Sequence, residues 1–332
     1  MKIGIINNCL KGETRVASTP KTSSLYIKDG FEVFLQKGAG ELSGFCDEEY
    51  QKEGVIALER KEVLECDIIL SVLPPKKEDL ASFRAGQWLI CDLTTFDEKA
   101  DLKDLVNTDI GAIDLGKIPR ISRAQTMDIL SSQSLIAGYK AATDALHALK
   151  QTAPLLMTSA GTLPPVKALV IGAGVAGLQA VSVLKRMGAN VIATDIREES
   201  KAEIQSVGAK FSSNIQNEIS TSNIIICSAF THGKKAPLLL KKDQIEQMPE
   251  NSVLIDMAQG NIEENFSRND IVFIKDKHLE QKLPTSASLL FSNNVYSFLK
   301  TFDYLSPNTN YEDEILQKTL ICSDGFLRSK IK

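Results

Sequence analysis

One short stretch restricts the fold of this chain more than any other. An apolar run, residues 167–171, passes directly into Gly172-Ala173-Gly174-Val175-Ala176-Gly177 and then into a helical pattern carrying Leu178, Val181, Leu184 and Met187. A G-x-G-x-x-G sequence has meaning only in such a strand–turn–helix setting. Gly172 permits the tight turn, Gly174 lets a backbone approach a pyrophosphate, and Gly177 allows close helix–strand packing. The start of the helix offers unsatisfied N–H groups and partial positive charge, which suits phosphate. The next apolar run, residues 190–194, ends at Asp195, where an acidic residue accepts hydrogen bonds from the ribose hydroxyls of an adenosine. An isolated glycine pattern is often only a turn. Strand, helix and trailing acid together point to a bound dinucleotide. Asp195 repels a 2′-phosphate, so the pattern favours NAD over NADP, and Arg197 is expected over the adenine or in solvent.

The remaining sequence repeats the same grammar. Strands are expected at residues 2–6, 32–36, 67–72, 88–91 and 110–113, and a second set at 167–171, 190–194, 223–228, 252–257 and 271–274. Ile68-Ile69-Leu70 and Ile224-Ile225-Ile226 are continuous apolar runs, as parallel strands covered on both faces require. With 332 residues, 43% of them hydrophobic, there is material for about two such domains. The fold class expected is α/β, with two doubly wound, Rossmann-like domains separated by a cleft. A helix over residues 131–150, with Leu135, Gly138, Tyr139, Ala142, Ala145, Leu146 and Leu149 as its apolar stripe, bridges the two sets. Pro154, Gly161, Pro164 and Pro165 then break the pattern. A second helix is expected at residues 288–302. The expected division is a first domain of residues 1–131 completed by 286–332, and a dinucleotide-binding domain of residues 132–285 that includes the bridge helix.

Several function classes are excluded by composition. A net charge of −4 leaves no basic footprint for nucleic acid. No apolar run approaches the length of a membrane span, and residues 1–6 enter a strand pattern directly, so neither a direct span nor a leader peptide is expected. The six cysteines, among them Cys9, are scattered without a C-x-x-C pair, so reduced thiols and no metal site are expected. The three histidines, His147, His232 and His278, lie far apart, and nothing points to a histidine-based site.

A second polar cluster occupies residues 119–132, Pro-Arg-Ile-Ser-Arg-Ala-Gln-Thr-Met-Asp-Ile-Leu-Ser-Ser. It follows a strand of the first set and leads into the bridge helix. Read alone, it is a solvated loop in which Asp128 or Ser131 caps that helix. Read as a loop at the strand ends of an α/β domain, it lies where a cofactor's reactive half would sit.

At this point the motifs resemble a known family. Gly12-Glu13-Thr14-Arg15-Val16-Ala17-Ser18-Thr19-Pro20, the loop 119–132, Val170–Gln179 with Thr194-Asp195-Ile196-Arg197, Gly233-Lys234-Lys235-Ala236-Pro237 and Leu283-Pro284-Thr285 are similar to the alanine dehydrogenase/transhydrogenase family. The loop 119–132 resembles its transhydrogenase branch, the NAD(H)-binding alpha subunit (domain I) of proton-translocating NAD(P) transhydrogenase. The resemblance implies a catalytic loop of Arg120, Gln125 and Asp128, in which Arg120 pairs with Asp128 and Gln125 reaches the ribose of NADP(H) on a partner subunit. Leu130, Ser131 and Ser132 are then implied beside the nicotinamide, and Gly172, Ala173, Gly174, Val175 and Gly177 around the pyrophosphate. Asp195, Ile196 and Arg197 are implied at the adenosine, and Phe230 as an apolar neighbour of the cofactor. Also implied are hydride transfer from NADH to NADP+ coupled to proton translocation, an NADP-binding beta subunit, a membrane subunit, a homodimer, and a place in the cytoplasm or on the cytoplasmic face of the inner membrane. Direct transfer between two nicotinamides needs positioning groups rather than a nucleophile, a metal or a proton shuttle.

Departures from the family pattern keep two alternatives open. The family's long insertion with a mobile lid has no counterpart in the short link at residues 211–223, and Ala258-Gln259-Gly260-Asn261-Ile262 replaces Gly-Gly-Asn. Phe291 replaces a tyrosine. A divergent NAD-binding protein without catalysis is one alternative. The other is an amino-acid dehydrogenase of the alanine dehydrogenase branch, with Arg15 on the substrate carboxylate. That branch needs a lysine and a histidine where this chain has Ser71-Val72-Leu73-Pro74-Pro75 and Asp92-Leu93-Thr94-Thr95.

Overall fold

The computed structural model describes residues 1–7, 12–93, 105–230, 235–323 and 326–327. Cys9, Thr94, Thr95, His232, Gly233 and Lys234 lie outside the described residues. The chain divides into two compact units, Met1–Gln133 with Leu283–Lys332, and Ser134–Lys282.

The first unit opens with β1 (Lys2–Ile5), β2 (Glu32–Gln36), β3 (Ile56–Leu58), β4 (Ile68–Leu70), β5 (Trp88–Cys91) and β6 (Gly111–Asp114). The second holds a small antiparallel pair, β7 (Leu156–Thr158) and β8 (Gly161–Leu163). It continues with β9 (Lys167–Ile171), β10 (Asn190–Thr194), β11 (Lys210–Phe211), β12 (Ile224–Cys227), β13 (Val253–Asp256) and β14 (Val272–Lys275). The chain then returns to the first unit with β15 (Leu320–Ser323) and β16 (Phe326–Leu327).

The two main sheets run in the orders β16-β15-β6-β5-β4-β1-β2-β3 and β11-β10-β9-β12-β13-β14. All strands through β6 and all of the second sheet are parallel, whereas β15 pairs antiparallel with β6 and β16. The second order reverses between β9 and β12, the doubly wound arrangement in which ligands bind beyond the carboxyl ends of the strands at the switch point. Burial explains the continuous apolar runs. Ala168, Val170, Ile224 and Ile226 pack on one face of the second sheet against Ala142, Val181 and Leu184, while Leu169, Ile225 and Leu254 pack on the other against Ile219, Ile245 and Met248. In the first unit, Ile3, Ile5, Ile68 and Leu70 meet Phe291, Val295 and Phe298 of the helix Pro284–Thr301.

Two helices differ from expectation. The bridge helix spans Ile129–Ala148 rather than 131–150. Its buried residues are Ala137, Ala141, Ala142 and Ala145, with Leu149 just beyond its end, whereas Leu135 and Tyr139, expected in the stripe, are 39% and 44% exposed. Close packing explains the choice of small residues: a Cβ at Gly138 would stand 2.1 Å from the carbonyl oxygen of Ala176, so this helix meets the backbone of the turn helix directly. The C-terminal helix begins at Pro284 rather than 288, with the proline in its first turn, where no N–H is required. Among the described residues no helix is long and apolar enough to cross a membrane.

Candidate functional site

The glycine turn is built as its residue types demand. Gly172 has φ +104°, a left-handed conformation that glycine tolerates, and its N–H bonds to Thr194 O at 2.9 Å. A Cβ at Gly177 would fall 1.9 Å from the carbonyl oxygen of Gly172, so the helix Val175–Arg186 meets its strand only if that position is glycine. Gly174, by contrast, caps the helix with open space around it, and nothing lies within 4 Å of the position a Cβ would take. An incoming phosphate has room at Gly174 and helix N–H groups to meet.

Asp195 is drawn onto this turn. It accepts from Ala173 N–H at 2.7 Å, from Arg197 N–H at 2.9 Å and from Arg197 Nε at 3.0 Å. Arg197 also donates from Nη2 to Ala173 O at 3.1 Å, so the arginine folds back on the turn instead of pointing into solvent as expected. The reason is the two-residue separation, which closes a charge-assisted ring with the carboxylate. Burial pushes the Asp195 carboxyl up, but bonds from Arg197 and the Ala173 N–H outweigh it and hold the group below the usual carboxylate range. Around these polar groups Val175, Ile196 and Phe230 stay exposed, Ile196 completely. Flat apolar side chains left in water beside phosphate donors suit aromatic rings of a ligand.

In the first unit the loop 119–132 contains a 3-10 segment, Ser122–Met127, whose Ala124 and Met127 are buried. The expected Arg120–Asp128 pair does not form among the described residues. Asp128 instead accepts from Ser131 N–H at 3.0 Å and from Ser131 Oγ at 2.5 Å, which makes it the cap of the helix Ile129–Ala148. The N–H three residues into a helix has no intrahelical acceptor, and a carboxylate just before the helix supplies one. Arg120 and Gln125 are exposed. Leu130 packs partly against the core, and Ser132 Oγ donates to Asn294 Oδ1 at 2.6 Å. Arg15, in the shared N-terminal motif, is buried in a bidentate pair with Glu13 (2.8 and 2.7 Å) and donates to Gln133 Oε1 at 2.9 Å.

Three residues that support these groups carry no signal in the sequence. Asn294 donates from Nδ2 to Thr126 O at 2.7 Å, so one amide of the C-terminal helix holds both ends of the loop's second half. Ser228 donates to Gly172 O at 3.0 Å, tying the end of β12 to the glycine turn. Asn261 joins β12 to the loop after β13. Each bonds a backbone atom or side chain far away in the chain, and no local pattern marks such a partner.

Comparison with known proteins agrees with this geometry. The family models described as alanine dehydrogenase/PNT, N-terminal domain, and alanine dehydrogenase/PNT, C-terminal domain, match residues 4–137 and 141–330. The first portion of NAD(P) transhydrogenase subunit alpha from Rickettsia prowazekii (strain Madrid E), a separate protein there, is 32% identical over 366 residues, covering 98% of this chain and 95% of that protein. A crystal structure of transhydrogenase from Sinorhizobium meliloti superposes with a TM-score of 0.93 at 30% identity, covering 98% of this chain and 100% of that one. Alanine dehydrogenase of Bacillus subtilis (strain 168) is 28% identical over 277 residues, covering 80% of this chain and 72% of that protein.

Proposed function

The chain belongs to the alanine dehydrogenase/PNT family, an oxidoreductase family, and we propose that it is the NAD(H)-binding component of an NAD(P) transhydrogenase. The observation that carries this reading is the open Gly174 at the switch point of the second sheet, with Asp195 fastened beside it. In this reading the Gly172–Gly177 turn, with Ala173 and Val175, receives the pyrophosphate. Asp195, Ile196 and Arg197 take the adenosine. Phe230 lies against the cofactor's apolar surface. When bound, NADH supplies a hydride from its nicotinamide ring, and the acceptor is NADP+ on a partner subunit. Arg120, Gln125 and Asp128 act as positioning groups, with Leu130, Ser131 and Ser132 near the ring and Gln125 extended toward the partner's nucleotide. Asp128 serves through its cap, which fixes where the loop enters the helix. Orientation and exclusion of water are the whole requirement for such a transfer.

The partners proposed are an NADP-binding beta subunit and a membrane subunit, with transfer coupled to proton translocation in the complete complex on the cytoplasmic face of the membrane. A homodimer is also proposed. The hairpin of β7 and β8 leaves Leu156, Met157 and Leu163 exposed, Met157 at 74%. A two-stranded sheet is marginal by itself in water, and a second copy would cover these side chains.

Titration with NADH and NADPH, followed by mixing with an NADP-binding partner, tests the proposal. Preferential NADH binding and hydride exchange with an NADP analogue are expected; absence of NADH binding would refute it. A second reading, NAD binding without catalysis, is favoured by one feature. The link at residues 212–223 holds one helical turn, Gln216–Ile219, where relatives are expected to carry a longer lid. Under that reading NADH binds and no exchange follows. Consumption of NADH by pyruvate and ammonia without a partner would indicate the alanine dehydrogenase branch instead.

A further inference from the structure

Asp256, at the end of β13, is fully buried and accepts four backbone N–H groups, from Ala258 (3.0 Å), Gly260 (2.8 Å), Asn261 (3.0 Å) and Ile262 (3.2 Å). That knot alone suffices to fold the loop after β13. The side chain of Asn261 is not involved in it. Fully buried, it reaches away and donates from Nδ2 to Ala229 O at 2.9 Å and to Pro237 O at 2.8 Å. Its Oδ1 is buried without a hydrogen-bond partner among the described residues. Turning the amide over would set Oδ1 against two carbonyl oxygens, so the orientation is determined by its neighbours. A buried acceptor left unmatched is unfavourable, and the two donated bonds are what this position retains in exchange.

Those bonds grip both ends of the segment that leaves β12. Ala229 is joined on its other side to the glycine turn, because Ser228 Oγ donates to Gly172 O and a Cβ at Gly172 would stand 2.9 Å from Ala229 N. Phe230, exposed, follows at once. In a sheet of this order the first three strands receive the adenosine half of a dinucleotide, and the strands from β12 onward receive the other half. We propose that Asn261 is a positioning residue for the nicotinamide half of the site, clamping the start and end of the post-β12 segment so that Ala229 and Phe230 are presented beside the glycine turn. The proposal rests on the NAD(H) reading given above and deepens it.

Calorimetric titration of the full chain with NADH and with AMP, which fills only the adenosine half, tests the clamp. Asn261→Ala is expected to weaken NADH binding about tenfold while AMP binding stays within about twofold, since two backbone-directed bonds are lost and none of the adenosine contacts is touched. A merely structural role would lower both affinities together, and that outcome overturns the proposal, as does NADH affinity equal to that of the unsubstituted chain. If the alanine variant does not fold, Asn261→Ser keeps one donor and should show a smaller loss of the same selective kind. Failure of the unsubstituted chain to bind NADH overturns the NAD(H) reading and the clamp together. Unchanged variants in a chain that does bind NADH overturn the clamp alone.

Discussion

Gly174 and Gly177 sit in one turn and answer to different constraints, so substituting each separates ligand binding from stability. A methyl group at Gly177 collides with Gly172 O at 1.9 Å, and neither partner is a flexible side-chain end that yields. Gly177→Ala should therefore destabilise the second unit by about 2–3 kcal/mol through overpacking, read as a lower urea midpoint. Gly174 has φ −74° and ψ −174°, backbone that any residue adopts, and open space where a Cβ would go. Gly174→Ala should leave the urea midpoint unchanged and still weaken NADH, because the methyl stands where the pyrophosphate must approach; equal NADH affinity would remove the turn from the binding site. Asp195 gives a third test at this scale. Its carboxylate holds the turn through Ala173 N–H and Arg197. Asp195→Ala should weaken NADH by on the order of 1–3 kcal/mol through lost charge-assisted bonds. An unchanged affinity would refute its ribose role.

Among elements, the loop 119–132 carries the proposed transfer chemistry, and its residues divide by what the fold asks of them. Ala124 and Met127 anchor it in the core, Asp128 caps the following helix, and Asn294 ties Thr126 and Ser132 to the C-terminal helix. Gln125 is exposed and has no structural task comparable to these. Gln125→Ala should slow hydride exchange with the partner while NADH affinity and thermal stability stay nearly constant, within roughly 0.5 kcal/mol for stability. A large affinity loss would place Gln125 on NAD(H) instead. The same elements show what sequence patterning reveals. Apolar runs such as Ile224-Ile225-Ile226 announce strands buried on both faces, and β2, β5, β9 and β10 lie where their patterns predict. Short strands such as β3, β11 and β15 escape because two to four residues carry too little periodicity. The glycine turn is legible because each glycine answers a local steric demand. The supports at Ser228, Asn261 and Asn294 are not, because their meaning lies in carbonyls and amides that only the tertiary fold brings near. The Arg120–Asp128 pair fails for a related reason: a local cap competes for the carboxylate.

At the scale of the whole molecule, the chain uses one strand order twice. β3-β2-β1-β4-β5-β6 repeats the arrangement of β11-β10-β9-β12-β13-β14, and only the second copy has a G-x-G-x-x-G turn after its first strand. The first copy carries instead a buried carboxylate at the end of β6. Asp114 is 2% exposed and accepts from Leu93 N–H and Gly116 N–H, both at 3.0 Å, with Lys117 Nζ 3.9 Å away. Burial, reinforced by the charge of Asp92, pushes its carboxyl up to about 6, against the pull of those two N–H groups and Lys117. A carboxyl whose pKa is higher in the folded chain than in the unfolded one holds a proton that the unfolded chain has already lost. Its favourable contribution is therefore complete below about pH 4, declines as pH rises, and is gone above about pH 6. Asp114→Asn keeps the Oδ1 acceptor for both N–H groups and removes the buried charge. The stability of the variant relative to the unsubstituted chain should rise between about pH 4 and pH 6 and then stay level, by on the order of 2–3 kcal/mol. Urea unfolding of the first unit, followed through Trp88 in β5 beside β6, reads this difference at each pH. A difference that does not change across that window would mean that Asp114 stays ionised in its buried place, with Leu93, Gly116 and Lys117 sufficient to hold the charge.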